Sequence, residues 1–212
     1  MDERVPVDEE RGETEQRIVE ATFAAIHEHG YSGLTIQRIA DQFDKSKSLL
    51  YYHYDDKDEI VADLLGFALG RYLSAIDDRT TDDPIANLRV MVDELLPLDP
   101  TPEEAAGREV VMELRAQAVT DPEFRAAFTA IDDRLHDRIA GYVAEAIERD
   151  GVDGVDADAV AEQFLAVLNG ALIESATADR DVVPALRASL LGKLDRLDRL
   201  DRLDAATEGD EE

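Results

Sequence analysis

The side chains with the clearest chemical pattern lie in residues 35–54, which read TIQRIADQFDKSKSLLYYHY. The stretch gathers hydroxyl, amide, ammonium, phenol and imidazole groups, all of which donate hydrogen bonds. Lysine is scarce, yet three of the four lysines, Lys45, Lys47 and Lys57, lie within or just after this stretch, and the fourth is Lys193. Positive charge combined with hydrogen-bond donors is the chemistry that binds phosphates and base edges of a nucleic acid.

Two short helices joined by a turn are predicted to position these side chains. Thr35 is expected to cap the first helix, with Leu34 and Ile39 spaced to pack across its start. Ser46 is expected to cap the second helix and to leave its first amides available to phosphate. Ala40 is small where the two helices would cross. The pattern predicts a helix-turn-helix.

The outward face of the second helix carries the side chains expected to reach a ligand: Lys47, Ser48, Leu49, Tyr52 and His53. A leucine is unusual on a solvent-exposed face but can contact the methyl group of thymine. The alternative, a helix pair with a purely structural role, leaves the local clustering of lysine unexplained. We therefore predict that the second helix enters the major groove of DNA.

The segment from about Gly12 to Tyr72 closely resembles the DNA-binding domain of the tetracycline-repressor (TetR) family of transcription regulators. The shared pattern is a first helix that ends at Gly30, then LTIQRIA, a turn, and SKSLLYYHYDDKDEI. In that family the last stretch usually reads Ser-x-Gly-x-Leu-Tyr-x-His-Phe-x-x-Lys-x-x-Leu. The residues of this chain that match it are Ser46, Leu50, Tyr51, His53, Lys57 and, in place of leucine, Ile60.

The resemblance implies a role for each matching side chain. Phosphate contacts are implied for Thr35, Tyr51, His53 and Lys57. Base contacts are implied for Gln37 and for the positions of Lys47, Ser48, Leu49 and Tyr52, and Lys45 and Ser46 complete the predicted DNA-binding set. The departures from the family's pattern are Asp44 at the usual turn glycine, Lys45 at an apolar position, Ser48 at a common glycine and Tyr54 at a phenylalanine. Aspartate tolerates a left-handed backbone, so we expect the departures to change which bases are read and not the fold.

Helical spacing of apolar residues continues along the rest of the chain, and no run alternates as a strand would. Helices are predicted at about 14–29, 35–43, 46–54, 56–78, 84–96, from 101 onward, and at 121–149, 157–177 and 182–203. The predicted fold is all-α, with an N-terminal three-helix helix-turn-helix domain followed by a six-helix effector-binding and dimerisation domain. The predicted division is an acidic disordered tail over 1–11, the DNA-binding domain over 12–72, the ligand-binding and dimerisation domain over 73–203, and an acidic disordered tail over 204–212.

The C-terminal region resembles the effector-binding and dimerisation part of the same family in layout. The stretch ELRAQAVTDPEFRAAF, a long helix and FLAVLNGAL are similar to the subgroup that includes choline- and betaine-responsive repressors. Candidate effector-pocket residues come mainly from the middle helices, and ordinary core packing is the alternative for each of them. They are Phe67, Tyr72, Met91, Leu95, Met112, Arg115, Phe128, Tyr142 and Phe164.

The last two predicted helices carry more apolar surface than one small domain needs. Residues 164–173 are apolar nearly all round the helix, and the final helix has one stripe of leucines. Burial of this surface predicts a homodimer held by a four-helix bundle. The predicted interface residues are Phe164, Leu168, Leu172, Leu186 and Leu190.

The chain has 212 residues, of which 50 are acidic and 22 basic, a formal net charge of −28 and no cysteine. The lack of cysteine excludes disulfides, thiolate zinc sites and a cysteine nucleophile. Dense carboxylates with scarce lysine suggest a halophilic source, where salt screens the repulsion between charges. No apolar run approaches the roughly 20 residues that span a bilayer, and the start has no signal-peptide pattern. We expect a soluble, cytoplasmic protein.

No constellation typical of an enzyme is visible in the sequence, which has no His-Glu-x-x-His run, no glycine-rich phosphate loop and no hydrolase elbow. The acidic residues 150–158 lack the spacing of an EF-hand, so no cofactor or metal is expected, although cation binding there stays open. The favoured function is a ligand-responsive transcription regulator, most often a repressor in the family that it resembles. Its expected partners are an inverted repeat in double-stranded DNA, a small-molecule effector and a second copy of the chain. No membrane partner is expected. The alternative is a helical ligand-binding or protein-interaction module that no longer binds DNA.

Overall fold

The computed structural model describes residues 12–43, 47–150 and 154–208. These residues form nine α-helices and one short 3-10 turn, Tyr31–Gly33, and contain no β-strand. The all-α prediction is therefore confirmed. The helices are α1 Glu13–His29, α2 Ile36–Gln42, α3 Lys47–His53, α4 Lys57–Asp77, α5 Pro84–Leu95, α6 Pro102–Gln117, α7 Pro122–Asp150, α8 Ala157–Thr177 and α9 Val183–Glu208.

Most residues of the two predicted tails lie outside the described part of the chain. Residues 1–11 and 209–212 lie outside the described residues. Helix α9, however, continues to Glu208, so it includes residues 204–208, which the sequence assigned to the C-terminal tail. The Leu-Asp-Arg repeat at 194–203 contains neither glycine nor proline, and therefore nothing in it ends the helix at 203.

Side-chain caps fix where several helices begin. The Thr35 hydroxyl accepts a hydrogen bond from the Arg38 amide at 3.2 Å at the start of α2. Thr101 and Glu104 form a reciprocal capping box at α6, with distances of 3.2 and 2.6 Å. At α4, Asp56 accepts hydrogen bonds from two first-turn amides at 2.9 and 3.0 Å. These bonds satisfy amides that have no partner inside the helix, and they confirm the helix starts predicted from the sequence.

The described chain divides into two compact units. The first consists of the residues up to Arg71 together with Pro100–Ile131, so the division falls within α4 and within α7. Its core combines Ile18 and Ile39 from the N-terminal helices with Leu114 of α6 and Phe128 of α7, all buried. The first unit thus includes the segment 100–131, which the sequence pattern assigned to the second domain, because the apolar faces of α6 and of early α7 share this core.

The second unit consists of Tyr72–Asp99 and the described residues from Asp132 onward. Its core includes Leu88 and Met91 of α5, Phe164 of α8 and Leu190 of α9, all buried. Arg187 of α9 joins these helices by donating hydrogen bonds to two carbonyls at the end of α5, at 3.2 Å each. None of the helices in the described part of the chain is both long and apolar enough to cross a membrane.

Candidate nucleic-acid interface

Helices α2 and α3 turn their apolar side chains inward and leave a polar face exposed. Ile39 and Leu50 are fully buried and Phe43 is nearly so. The predicted contacts left exposed are Gln37 on α2 and, on α3, Lys47, Ser48, Tyr51 and Tyr52; α2 also exposes Arg38, Asp41 and Gln42. Residues 44–46, which include Asp44 and the predicted contacts Lys45 and Ser46, lie outside the described residues. Apart from Asp41, these exposed side chains can donate hydrogen bonds, which is the chemistry that recognises a DNA groove.

Two tyrosines stand out on this surface because large aromatic side chains are usually buried. Tyr51 is 59% exposed and Tyr52 is 82% exposed. The Tyr52 ring meets the neighbouring His53 ring edge-on, with centroids 5.2 Å apart. Such exposed rings with polar tips are positioned to contact sugars, base edges or phosphates.

Leu49 differs from the exposed side chains of α3 in its burial. It is half-buried and packs against the hydrophobic core of the first unit. The core contact explains why a leucine occurs on this face, which the sequence pattern alone leaves unusual. Part of the side chain remains accessible, so its predicted base contact stays a prediction.

Three of the predicted DNA contacts lie beside carboxylates. The Gln37 amide donates to Asp41 at 2.5 Å. His53 Nδ1 lies 3.5 Å from Glu15 Oε1 on α1. Without DNA, these donors therefore have acidic neighbours, with which a phosphate or a base edge must compete. We expect this competition to lower the affinity for DNA. Salt that screens the carboxylate charges should weaken the competition.

Lys57, the first residue of α4, is the third such contact. Its Nζ lies 3.9 Å from Asp58 Oδ1 and 4.2 Å from the centroid of the Tyr31 ring. The Tyr31 hydroxyl donates to the same Asp58 oxygen at 2.7 Å. Burial raises the pKa of the Tyr31 phenol well above its ordinary value, and the hydrogen bond to Asp58 raises it further, so the proton stays on the phenol.

Tyr31 is a functional candidate that the sequence alone did not single out. The available signal was an aromatic residue directly after the glycine that ends α1. That signal indicates a turn but does not reveal which distant residues the ring will meet.

The predicted effector-pocket residues are divided between the two units. Phe67, Met112, Arg115 and Phe128 belong to the first, where the Arg115 guanidinium lies 4.7 Å from the Phe128 ring centroid. Tyr72, Met91, Leu95, Tyr142 and Phe164 belong to the second. Within the second unit, a cleft of about 220 Å³ between α8 and α9 is lined by Phe164 and by Lys193, whose ammonium donates to Gln163 at 2.7 Å. The assignment of these residues to one effector pocket stays a prediction.

The predicted dimer residues fall into two groups. Phe164, Leu168 and Leu190 are buried within the protomer, whereas Leu172 and Leu186 are half-buried. The apolar run 164–173 thus has a buried face and, on its other side, the exposed Ala166 and a 45% exposed Ile173.

No group of three or more potential metal ligands occurs among the residues whose placement is described. Residues 151–153 of the acidic segment, where cation binding was left open, lie outside them.

Comparison with known families agrees with this architecture. Residues 18–64 match the family model of bacterial regulatory proteins of the tetR family, and residues 84–198 match that of the C-terminal region of BetI-type transcriptional repressors. The chain belongs to the TetR family.

Among solved structures, a TetR transcription regulator from Haloarcula marismortui is 31% identical, with a TM-score of 0.77 over 86% of this chain and 96% of that chain. A transcriptional regulator from Saccharomonospora viridis, solved in complex with choline, is 24% identical, with a TM-score of 0.70 over 85% of this chain and 94% of that chain. The latter likeness concerns the fold.

Two repressor sequences match part of the chain. The transcriptional repressor AcnR of Corynebacterium efficiens is 26% identical over 129 residues, which is 59% of this chain and 63% of that protein. AcnR of Corynebacterium glutamicum is 25% identical over 132 residues, or 60% of this chain and 65% of that protein. The matches therefore span slightly less than two thirds of either repressor.

Proposed function

We propose that this protein is a sequence-specific DNA-binding transcription repressor that responds to a small-molecule ligand. The observation that carries the proposal is the face of exposed hydrogen-bond donors on α2 and α3 in a chain of the TetR family. This face includes Lys47 and Tyr52, whereas the apolar side chains of the same helices are buried. This face lies in the part of the sequence where three of the four lysines are found. A protein with this function acts where chromosomal DNA is, in the cytoplasm.

The proposed binding mode places α3 in the major groove. Gln37, Lys47, Ser48 and Tyr52 read base edges there, and the accessible part of Leu49 contacts a thymine methyl group. Phosphate contacts from Thr35, Tyr51, His53 and Lys57 flank the groove and fix the orientation of the helix. Lys45 and Ser46, which lie outside the described residues, complete the proposed set of DNA contacts.

The proposed operator is an inverted repeat, because the active species is a homodimer. On α8, Ala166, Gly170 and Ile173 follow one another at helical spacing along the exposed side, and a Cβ added at Gly170 would meet nothing within 4 Å. Small side chains let a partner helix approach closely, and Leu172 and Leu186 add half-buried apolar area beside them. Two recognition helices related by a two-fold axis read half-sites about 34–36 Å apart.

The proposed ligand response follows from the second family model. That model describes BetI-type repressors, and one structure of the same fold was solved with choline. Choline and betaine are therefore the first compounds to test as effectors. Binding of an effector releases DNA only if the effector prefers a state whose recognition helices no longer fit both half-sites.

Gel shifts with DNA from upstream of the protein's own gene, at molar salt, test the proposal. We expect a retarded complex and a footprint that covers an inverted repeat. The competing function, a helical interaction module without DNA binding, is favoured by the carboxylates beside Gln37 and His53. Absence of a retarded complex with either the upstream fragment or random DNA of the same length would support that alternative. Equal binding to the two DNAs would contradict sequence-specific binding.

A further inference from the structure

Tyr31 lies where several elements of the first unit meet. Its ring packs edge-on against Phe124 of α7, with centroids 5.1 Å apart. Its hydroxyl donates to Asp58 in the first turn of α4 at 2.7 Å. Its backbone amide donates to Glu113 Oε1 of α6, also at 2.7 Å, across 82 residues of sequence. One residue thus touches α4, α6 and α7 through three different groups.

The same ring holds the Lys57 ammonium. Nζ lies 4.2 Å from the ring centroid, which is well within the range of a cation–π contact. Asp58 competes weakly for this ammonium, because Nζ is 3.9 Å from Oδ1 and the Tyr31 hydroxyl already donates to that oxygen. The Lys57 side chain remains 31% exposed, so its charge is held in a defined place with one side open to a ligand.

Glu113 fixes the backbone that carries the ring. Gly30 has a φ of +70° and a ψ of 161°, a conformation that is almost exclusive to glycine. A Cβ at this position would lie 3.0 Å from Glu113 Oε1. The glycine therefore both turns the chain after α1 and leaves room for the carboxylate to accept the Tyr31 amide.

We infer that Tyr31 is a positioning residue for DNA binding: its ring holds Lys57 in place for a phosphate, and Glu113 of α6 anchors Tyr31. The inference rests on the proposed function of the protein. A lysine has a long flexible stem that loses freedom when it binds a phosphate, and a preformed position reduces that loss. A cation–π contact of a partly exposed lysine corresponds to a change of about two- to fivefold in a binding constant.

A double-mutant cycle with the full-length protein tests the inference. Operator affinity is measured by fluorescence anisotropy, with the footprinted inverted repeat as the probe, over a range of salt concentrations. Tyr31→Leu is expected to weaken binding about two- to fivefold and to reduce the salt slope towards that of Lys57→Ala. In the Lys57→Ala background, Tyr31→Leu is expected to have no further effect, because the ammonium that it positions is gone.

Three further variants separate positioning from folding. Tyr31→Phe keeps the ring and is expected to bind more tightly than Tyr31→Leu. Glu113→Ala leaves the ring and its packing intact but removes the anchor, so it carries the same test if Tyr31→Leu does not fold. Its loss of affinity is also expected to vanish in the Lys57→Ala background, whereas Glu113→Gln, which keeps an acceptor, is expected to bind like the wild type.

Equal losses of affinity with and without Lys57 would show a purely structural role for Tyr31 and would overturn the inference. An unchanged affinity of both Tyr31→Leu and Glu113→Ala would overturn it as well. Failure of the wild-type protein to bind any operator is a different result, which contradicts the proposed function itself.

Discussion

Several predicted DNA contacts of this chain lie beside carboxylates, and we expect these carboxylates to limit the strength of DNA binding. Glu15 is the clearest case, because its Oε1 lies 3.5 Å from His53 Nδ1 while its Oε2 accepts the Gly12 amide at 3.3 Å. The carboxylate is therefore fixed near a predicted phosphate contact. A phosphate that approaches His53 is repelled by this charge unless salt screens it.

Glu15→Gln is expected to tighten operator binding, because it removes the repulsion and keeps the hydrogen-bonding shape. The gain is about two- to fivefold at the lowest usable salt, the size of an interaction between exposed charges, and it shrinks as salt rises. Anisotropy titrations at several salt concentrations measure it. Glu20→Gln is the matched control, since Glu20 is an exposed acid of the same helix whose carboxylate binds Gln16. An equal gain in the control would assign the effect to net charge and not to the position of Glu15.

Substitutions of residues that contact phosphates and of residues that read bases are expected to change operator affinity in different ways. Lys57→Ala and Tyr51→Phe should weaken binding to all operator variants alike, because phosphate contacts carry no sequence information. Lys47→Ala and Tyr52→Ala should instead relax the preference at particular base pairs, each by about 1–3 kcal/mol. Affinities for a panel of single-base operator variants distinguish the two patterns. A uniform loss of affinity across the panel for Lys47→Ala would show that Lys47 contacts phosphate and does not read a base.

At the scale of elements, the turn between α1 and α2 depends on Gly30. Gly30→Ala is expected to lower the free energy of unfolding by about 1–3 kcal/mol, because alanine resists this backbone conformation. The added Cβ would also crowd Glu113. Gly141→Ala is the control: this exposed glycine lies inside α7 with nothing within 4 Å of an added Cβ. It should gain about 0.5–1 kcal/mol from improved helix propensity. Thermal unfolding followed by circular dichroism measures both, and a Gly30→Ala variant as stable as the wild type would refute this role of the glycine.

Local features of these elements could be predicted from the sequence, and distant contacts could not. The caps at Thr35 and Thr101 act within three residues, so the order of residue types is enough to reveal them. The hydrogen bond from Tyr31 to Glu113 joins residues 82 apart, and many acidic residues could have taken that place. The sharing of one core by α1 and α6 was likewise hidden, because an apolar stripe indicates that a face is buried but not against what.

At the scale of the whole molecule, burial decides which residue of α8 best tests the dimer. Leu168 is buried within the protomer, so a charge there would destabilise the fold of each subunit. Ile173 is 45% exposed on the opposite side of α8. We expect Ile173→Glu to produce monomers without loss of helicity, because it places a charge only in the proposed contact between subunits.

Light scattering after gel filtration, together with circular dichroism, measures this outcome. The matched control is Thr177→Glu, a substitution at an exposed position at the end of the same helix, beyond the apolar run, which should remain dimeric. A wild-type protein that is monomeric at micromolar concentration would contradict the proposed assembly, and so would an Ile173→Glu variant that stays dimeric.

The net charge of −28 makes DNA binding itself the central question for the whole molecule. The most direct test is the affinity of the wild-type protein for its footprinted inverted repeat and for a scrambled duplex, measured from ~0.5 M salt upward. We predict a clear preference for the repeat and a slope of log affinity against log salt shallower than the roughly −5 to −9 expected when about 6–10 phosphates are neutralised. Equal affinity for the two duplexes at every salt concentration would contradict the account.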